Sequence, residues 1–208
     1  MSEVEYNGLK FNYRLNTTDW NIIKEACGGL NTRWFDVKSG ELWFDIGAHI
    51  GAFTCYAASK GAIVSAFEPI PSSFALLQQN VILNNLETHV KTHNVAITDK
   101  LGEIELFVDE NNYGNCSKYN RGLSKTLKVK TIPASSLNIF DDFCIKLDTE
   151  GCEYDILSGI DLTKVNKLVM ENHYWLQPRE QTLEIVDWLH IYFNHTEEHG
   201  GYMHYAWN

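Results

Sequence analysis

The chain has 208 residues, 44% of them apolar, which predicts one α/β domain over residues 1–208 with a proper hydrophobic core. Its formal net charge of −10 argues against nucleic acid or an anionic membrane as the main partner, because both require a basic face. Five scattered cysteines without a C-x-x-C pair, no signal-peptide pattern and no apolar run of spanning length predict a cytoplasmic protein with reduced thiols.

The first 40 residues are predicted to form a small N-terminal cap. A short strand is expected over Lys10–Leu15, and a helix over Thr18–Cys27 with Thr17 or Thr18 as its capping residue. We interpret residues 1–40 as an edge element that leads into the core, and not as a second domain.

A tight glycine turn follows the next predicted strand, Leu42–Ile46, which is a mostly apolar run of strand length. Asp45 lies at the end of that strand, Gly47 and Gly51 flank the turn, and Ala52–Lys60 is predicted to be a helix. Glycine permits the sharp turn and lets a ligand approach the main-chain amides, while the new helix offers unpaired N–H groups. The pattern predicts a ligand-binding loop; the alternative is an ordinary glycine turn of an α/β protein.

Two ligand classes use such a strand, turn and helix: dinucleotides and S-adenosylmethionine. In the dinucleotide fingerprint G-x-G-x-x-G the middle glycine admits a pyrophosphate, and here His49 stands in its place. The pattern D-x-G-x-x-x-G instead resembles motif I of class I methyltransferases, whose loop faces the amino-acid part of S-adenosylmethionine. Asp45, Gly47, His49 and Gly51 are accordingly the first candidate cofactor-binding residues.

Two further candidate cofactor residues follow the second and third predicted strands. Ala62–Phe67 is a buried strand followed by Glu68, whose carboxylate has two acceptor oxygens for the ribose hydroxyls of an adenosine ligand. The alternative for Glu68 is a surface acid at a strand end. Val90–Ile97 is the third predicted strand, and Asn94 has a donor and an acceptor for an adenine ring, although a main-chain group there would also serve.

Residues 98–142 are predicted to contain an inserted β-hairpin with a substrate loop. Glu103–Val108 and Thr126–Thr131 alternate in the manner of two antiparallel strands. The loop Asn111–Lys125 between them is polar, includes Tyr113 and is locally basic. A long loop inside a compact domain indicates a lid over the substrate, and the alternative is a flexible hairpin tip.

Acids and a histidine follow the last two predicted parallel strands. Asp148 comes directly after Phe143–Leu147, and the strand Asn166–Glu171 ends in Glu171, with His173 two residues later. The carboxyl ends of parallel strands share one sheet edge, where ligands bind in doubly wound folds. The chain is expected to finish with an amphipathic helix and two strands, over Pro178–Phe193, Tyr192–Glu197 and Tyr202–Trp207.

With these elements in place, the chain resembles the FkbM family of methyltransferases. That family joins a D-x-G-A-x-x-G loop, an acid–proline pair, an N-x-A-hydrophobic stretch, a K-x-D-x-E-G-x-E run and a final E-x-H-like element. The matching residues are Asp45–Gly51, Glu68-Pro69, Asn94–Ile97, Lys146–Glu153 and Glu171–His173. The resemblance implies a three-layer Rossmann-like class I methyltransferase fold with a mostly parallel seven-stranded sheet. It also implies S-adenosylmethionine-dependent O-methylation of a hydroxyl on a small molecule or sugar.

The residues at the sheet edge suggest two mechanisms for such a transfer. Asp148 is the first candidate for the group that binds or deprotonates the acceptor, followed by His173 and Glu171. In the second mechanism Asp148, Glu171 and Asn172 hold Mg²⁺ through hard oxygen ligands. Glu153 begins a predicted helix, and the helix dipole by itself explains an acid at that position.

Three other functions stay open from the sequence. They are an NAD-type oxidoreductase on the same sheet, a metal-independent nucleic-acid 2′-hydroxyl methyltransferase and a non-catalytic S-adenosylmethionine binder. The missing middle glycine argues against the first and the net acidity against the second. A small molecule or sugar is the expected partner, and a homodimer is left open.

Overall fold

The structure, a computed structural model, describes residues 1–28, 36–109, 112, 114 and 116–208. Its strands, in chain order, are β1 (Ser2–Tyr6), β2 (Leu9–Tyr13), β3 (Leu42–Ile46), β4 (Ile63–Phe67), β5 (Val90–His93), β6 (Ala96–Thr98), β7 (Gly102–Phe107), β8 (Thr126–Pro133), β9 (Phe143–Leu147), β10 (Val165–Glu171), β11 (His195–His199) and β12 (Met203–Trp207). Its α-helices are α1 (Asp19–Cys27), α2 (Ala52–Ser59), α3 (Pro71–Leu83), α4 (Glu153–Leu157) and α5 (Arg179–Tyr192). Asn111 and Tyr113 of the predicted substrate loop lie outside the described residues.

Seven strands form the central sheet, in the spatial order β5-β4-β3-β9-β10-β12-β11. β12 is antiparallel to both of its neighbours, and the other adjacent pairs are parallel. Successive residues of β3 point to opposite faces: Trp43 packs in the core beneath α1, α2 and α3, and Phe44 in the core beneath α4 and α5. The predicted three-layer arrangement around a mostly parallel seven-stranded sheet is therefore confirmed.

The predicted third strand, Val90–Ile97, is divided between two sheets. β5 lies at the edge of the central sheet, whereas β6 joins β8 and β7 in a three-stranded sheet. The chain changes sheet at Asn94, whose Nδ2 donates to the carbonyls of Glu68 and Pro69 at 2.8 and 3.1 Å. The insert therefore has three strands, because β6 is added to the predicted hairpin of β7 and β8. β7 and β8 are antiparallel as expected.

The N-terminal cap contains a β-hairpin of which only the second strand was predicted. β1 pairs with β2 across the turn Asn7-Gly8, a dipeptide that favours two-residue hairpin turns, so the signal was present in the sequence. Thr18 is the N-cap of α1 without a side-chain capping bond, while Thr17 Oγ1 accepts from the N–H of Asp19 at 3.2 Å. α1 packs against α2. None of the described helices has the length and apolar character needed to cross a bilayer.

Contacts within the protein explain the two glycines of the turn after β3. Gly47 and Gly51 both have φ of 84°, a left-handed conformation that favours glycine. A Cβ on Gly47 would lie 1.7 Å from the carbonyl oxygen of Asp148, and one on Gly51 would lie 2.5 Å from Leu77 Cδ1. The expected sharp turn is present. The space beside each glycine is filled by neighbouring protein atoms, which by itself requires glycine at both positions. The approach of a ligand to the main chain of this turn stays a prediction.

Candidate active site

A cavity of about 400 Å³ opens at the carboxyl edge of the central sheet. On the side of β4 and β6, which we call the β4 side, its lining is largely apolar and includes Phe67, Ile70, Val95, Ile97, Ile104 and Leu106. On the side of β9 and β10, which we call the β10 side, the lining carries the carboxyls of Asp148, Glu150 and Glu171. Ligand pockets of this size combine an apolar lining with a few converging polar groups, so this cavity is the candidate active site.

Glu68 lies in the cavity wall on the β4 side and is held by main-chain groups. Its Oε2 accepts from the N–H of His49 at 2.8 Å, and its Oε1 accepts from the N–H of Ile70 at 2.9 Å. Burial raises the pKa of Glu68 to about 7, although the two hydrogen bonds lower it. Each carboxylate oxygen keeps a second lone pair, so Glu68 can still accept a hydrogen bond from a ligand hydroxyl.

Asp45 is fully buried and lies outside the cavity lining. It accepts a hydrogen bond from Thr54 Oγ1 at 2.5 Å and lies 3.3 Å from Lys146 Nζ. Lys146 Nζ also donates to the carbonyl of Gly47 at 2.6 Å. Burial alone would lower the pKa of Lys146, but the charges of Asp45 and Asp148 outweigh it and raise the pKa. Asp45 thus holds the glycine turn through the partly buried cation of Lys146, and its direct contact with a cofactor stays a prediction.

The other predicted cofactor residues divide into two groups. Gly47 and His49 line the cavity, whereas Gly51 and Asn94 do not. Gly51 begins α2 against Leu77, and Asn94 binds the turn after β4. Gly51 and Asn94 therefore act on the cavity through the backbone that they shape.

His173 lies at the centre of four carboxylates on the β10 side. Its Nδ1 is 2.9 Å from Glu153 Oε1. Its Nε2 is 3.5 Å from Glu150 Oε1, 3.7 Å from Glu171 Oε1 and 4.0 Å from Asp148 Oδ1. The side chain of His173 is only 2% exposed. The structure thus brings together the three predicted catalytic residues and adds two glutamates to them.

His173 and Glu171 both have a raised pKa, with opposite consequences for their charge. Burial alone would lower the pKa of His173, but its interactions with Glu150 and Glu153 outweigh it and raise the pKa to about 11. The ring is therefore an imidazolium at neutral pH, which is at odds with the predicted role of His173 as a base. Burial, reinforced by the charge of Asp148, raises the pKa of Glu171 to about 7. A carboxyl with that pKa suits general-base catalysis.

Glu153 organises the loop between β9 and α4 to an extent that the sequence analysis missed. It is fully buried, and its Oε1 accepts from the N–H groups of Thr149 and Gly151 at 3.2 and 3.1 Å, as well as from Thr149 Oγ1. The same oxygen contacts His173. The helix dipole is therefore not its main role. The signal in the sequence was the second glutamate of E-G-x-E, placed two residues after the glycine of the turn that it stabilises.

The predicted Mg²⁺ ligands do not all face the same point. Asn172 is buried, and its Oδ1 accepts from Gln177 Nε2 at 2.7 Å. Among the described residues, Asp148, Glu150 and His173 offer ligand atoms within 4.8 Å of one another. The imidazolium of His173 already supplies positive charge between these carboxylates. The donor set therefore gives no specific support to Mg²⁺.

Basic side chains of the insert lie beside or opposite acids. Lys118 Nζ forms an ion pair with Asp155, and Arg121 Nη1 lies 3.0 Å from Glu150 Oε2. Across the β7–β8 ladder, Lys130 stands opposite Glu103, and Lys128 stands opposite Glu105. This pairing lowers the capacity of the insert to bind a polyanion.

The N-terminal cap contributes residues that the sequence analysis did not single out. Thr18, the N-cap of α1, and Asn21 and Glu25 of that helix line the cavity. Burial and the charge of Asp148 raise the pKa of Glu25. Arg14, just before α1, lies 2.9 Å from the ring of His49. The helix itself was predicted, but no local pattern indicated which of its residues would face a ligand.

Comparisons with known proteins agree on the class of the chain. A family model described as the methyltransferase FkbM domain matches residues 45–202. The 31-O-demethyl-FK506 methyltransferase FkbM of Streptomyces tacrolimicus is 35% identical over 104 residues, which cover 49% of this chain and 36% of that protein. The tRNA (guanine(37)-N(1))-methyltransferase of Pediculus humanus subsp. corporis is 24% identical over 211 residues, which cover 94% of this chain and 40% of that protein. The chain spans between 16% and 57% of the length of the first three curated relatives that it matches.

The fold is shared with solved methyltransferase structures. The crystal structure of precorrin-6Y C5,15-methyltransferase from Geobacter metallireducens GS-15 superimposes with a TM-score of 0.53, and the match covers 95% of each chain. Sequence identity in that match is 12%, so the likeness concerns the fold alone.

Proposed function

Because the chain belongs to the methyltransferase FkbM domain family, we propose that it transfers a methyl group from S-adenosylmethionine to a hydroxyl of a small molecule or sugar. One observation carries the proposal. A single cavity joins an apolar wall and the buried carboxyl of Glu68, on the β4 side, to the carboxyls of Asp148 and Glu171, on the β10 side. The two sides offer a place for a donor and a place for an acceptor within reach of each other.

The residues of the β4 side fit S-adenosylmethionine. Apolar side chains such as Ile70 and Ile97 suit a flat adenine ring, and the free lone pairs of Glu68 suit ribose hydroxyls. Acidic lining residues suit a donor that carries an ammonium and a sulfonium. When bound, S-adenosylmethionine supplies an electrophilic methyl group on a positively charged sulfur.

The residues of the β10 side would prepare the acceptor. Glu171 accepts the proton of the acceptor hydroxyl, because its pKa of about 7 leaves a large ionised fraction at neutral pH. Asp148 lies beside it in the lining and orients the hydroxyl by accepting a hydrogen bond. His173 stays protonated and holds these carboxylates together.

The charge of the cavity bears on the class of acceptor. Among the described lining residues, five carry carboxyls and one, Lys146, carries a basic side chain that is already paired with Asp45. A cavity of this sign repels phosphate, so a neutral or cationic acceptor is favoured over an anionic one.

Nucleic acid is the second candidate acceptor, because a relative named as a tRNA methyltransferase aligns with 94% of this chain. The paired charges of the insert and the acidity of the cavity speak against it. Transfer to RNA would require basic surface from residues beyond those that line the cavity.

The proposal is tested by calorimetric titration with S-adenosylmethionine and with NAD, followed by an acceptor screen with methyl-labelled donor. The screen should include hydroxylated small molecules, sugars and a tRNA. We expect donor binding without NAD binding, and label on a hydroxyl. Asp148→Asn should keep donor binding and lose transfer, whereas Glu87→Gln, a matched change of an exposed acid, should alter neither. Binding of NAD alone would refute the proposal, and label on the tRNA would favour the second candidate.

A further inference from the structure

Arg14, at the end of the cap hairpin, joins three elements around the glycine turn. Its Nε and Nη2 each donate to the carboxylate of Asp19, the first residue of α1, at 2.9 Å. Its Nη1 donates to Ser73 Oγ of α3 at 3.2 Å, and its Nη2 lies 2.9 Å from Nε2 of His49. The side chains of Arg14 and Asp19 are 15% and 1% exposed, so solvent screens this ion pair little.

His49, which Arg14 contacts, has an unfavourable backbone conformation. Its φ is 53°, in the left-handed region that residues with a Cβ rarely adopt. Burial, reinforced by the charge of Arg14, lowers the pKa of His49 to about 4 against the opposing effect of Asp19. The ring is therefore neutral, accepts the Arg14 hydrogen bond at Nε2 and carries its proton on Nδ1.

The main chain of the same residue leads to the cavity wall. The N–H of His49 donates to Glu68 Oε2 at 2.8 Å, and both residues line the cavity. Arg14 thus holds the ring of His49 while Glu68 holds its amide. A shift of the ring that is transmitted to the backbone of His49 would release one of the two main-chain bonds that orient Glu68.

We propose that Arg14 is a positioning residue of the donor site, and that the cap is thereby required for binding S-adenosylmethionine. This inference rests on the function proposed above. Arg14 touches His49 rather than the reacting groups, and it acts through His49 on Glu68. The family match begins at residue 45, so the cap supplies this support from outside the matched domain.

The test compares three variants of the full chain. Arg14→Lys keeps the charge but loses the planar fork that reaches Asp19 and His49 together. The double variant Arg14→Met with Asp19→Leu removes both charges together, so that neither is left buried without its counter-ion. Lys10→Ala removes an exposed cation from the same hairpin and serves as the control.

Donor affinity, thermal stability and the His49 tautomer are measured for each variant. We expect Arg14→Lys and the double variant to bind S-adenosylmethionine roughly tenfold to hundredfold more weakly, the effect of misplacing a hydrogen bond to a charged group. The KM for the donor should rise with kcat retained. The ¹⁵N spectrum should show loss of the single Nδ1–H tautomer of His49, while Lys10→Ala stays like the wild type.

Two failures are separable. Wild-type protein that binds no S-adenosylmethionine would overturn the proposed function, and with it the basis of this inference. Wild-type binding with unchanged affinity in both folded Arg14 variants would overturn this inference alone.

Discussion

The two sides of the cavity are built from different kinds of group. On the β4 side one carboxylate, Glu68, is oriented by the main-chain N–H groups of His49 and Ile70 within apolar surroundings. On the β10 side four carboxylates surround a single imidazolium, that of His173, and the contacts to the ring are made by side chains. Main-chain contacts depend on the course of the backbone, whereas side-chain contacts depend on each residue.

Because of this difference, we expect the β4 side to determine donor binding and the β10 side to determine the rate of methyl transfer. A carboxyl held by the backbone can serve the same ligand in chains whose side chains differ widely. A cluster of side chains with one shared cation is sensitive to each member, because removing one charge shifts the pKa of the others. Substitutions on the β4 side should therefore change donor affinity, and substitutions on the β10 side should change turnover.

The largest effect is expected on the β10 side. Glu171→Gln should lower kcat by about 10²–10⁴-fold, because the amide accepts no proton from the acceptor. The dissociation constant of the donor, measured by calorimetry, should stay at the wild-type value. Glu198→Gln, an exposed acid on β11, is the matched control. A variant with intact kcat would show that proton removal occurs elsewhere.

The next effect concerns the stability of the same cluster. His173→Gln should lower the free energy of unfolding by about 3 kcal/mol at pH 7, because it leaves the buried carboxylate of Glu153 and the partly buried carboxylates around it without their cation. The pKa of His173 is raised from 6.5 to about 11, so its stabilisation is fully present below pH 6.5 and is lost as pH rises through 11. Denaturant unfolding at pH 6 and pH 10 should show the gap between variant and wild type shrinking. A gap independent of pH would refute the imidazolium.

On the β4 side, Glu68→Gln should weaken donor binding roughly tenfold to hundredfold, because an amide nitrogen cannot accept the N–H of His49 or Ile70. At saturating donor, kcat should be close to that of the wild type. Steady-state kinetics with varied donor separates the two constants. A fall in kcat with an unchanged donor KM would contradict the division between the two sides.

A smaller effect should appear in the pH dependence of turnover. Because the pKa of Glu171 is raised to about 7, its ionised fraction and hence kcat should rise about tenfold between pH 6 and pH 8. The residual activity of Glu171→Gln should lack this rise. If the rise persists in that variant, another group titrates.

The smallest effect is expected from a chelator. The positive charge that a metal would bring to Asp148 and Glu150 is already supplied by His173, so EDTA should leave turnover unchanged. Addition of Mg²⁺ after EDTA should likewise have no effect. Loss of activity that Mg²⁺ restores would instead support the metal mechanism.

The sequence by itself determined the order and type of the central elements. The strands Leu42–Ile46 and Phe143–Leu147 were predicted to the residue, because a short apolar run bounded by glycine or acid is a local signal. The sequence also placed Asp148, Glu171 and His173 at one sheet edge, since parallel strands end together.

Only the tertiary structure decided which side chains meet and in what charge state. Val90–Ile97 has the pattern of one strand, yet side-chain bonds from Asn94 to a distant turn divide it between two sheets. Glu153 and Arg14 act through partners 20 and 35 residues away, which no local pattern specifies. The pKa values of about 7 at Glu171 and about 11 at His173 arise from burial and neighbouring charges. Those are properties of the folded surroundings and not of the residue type.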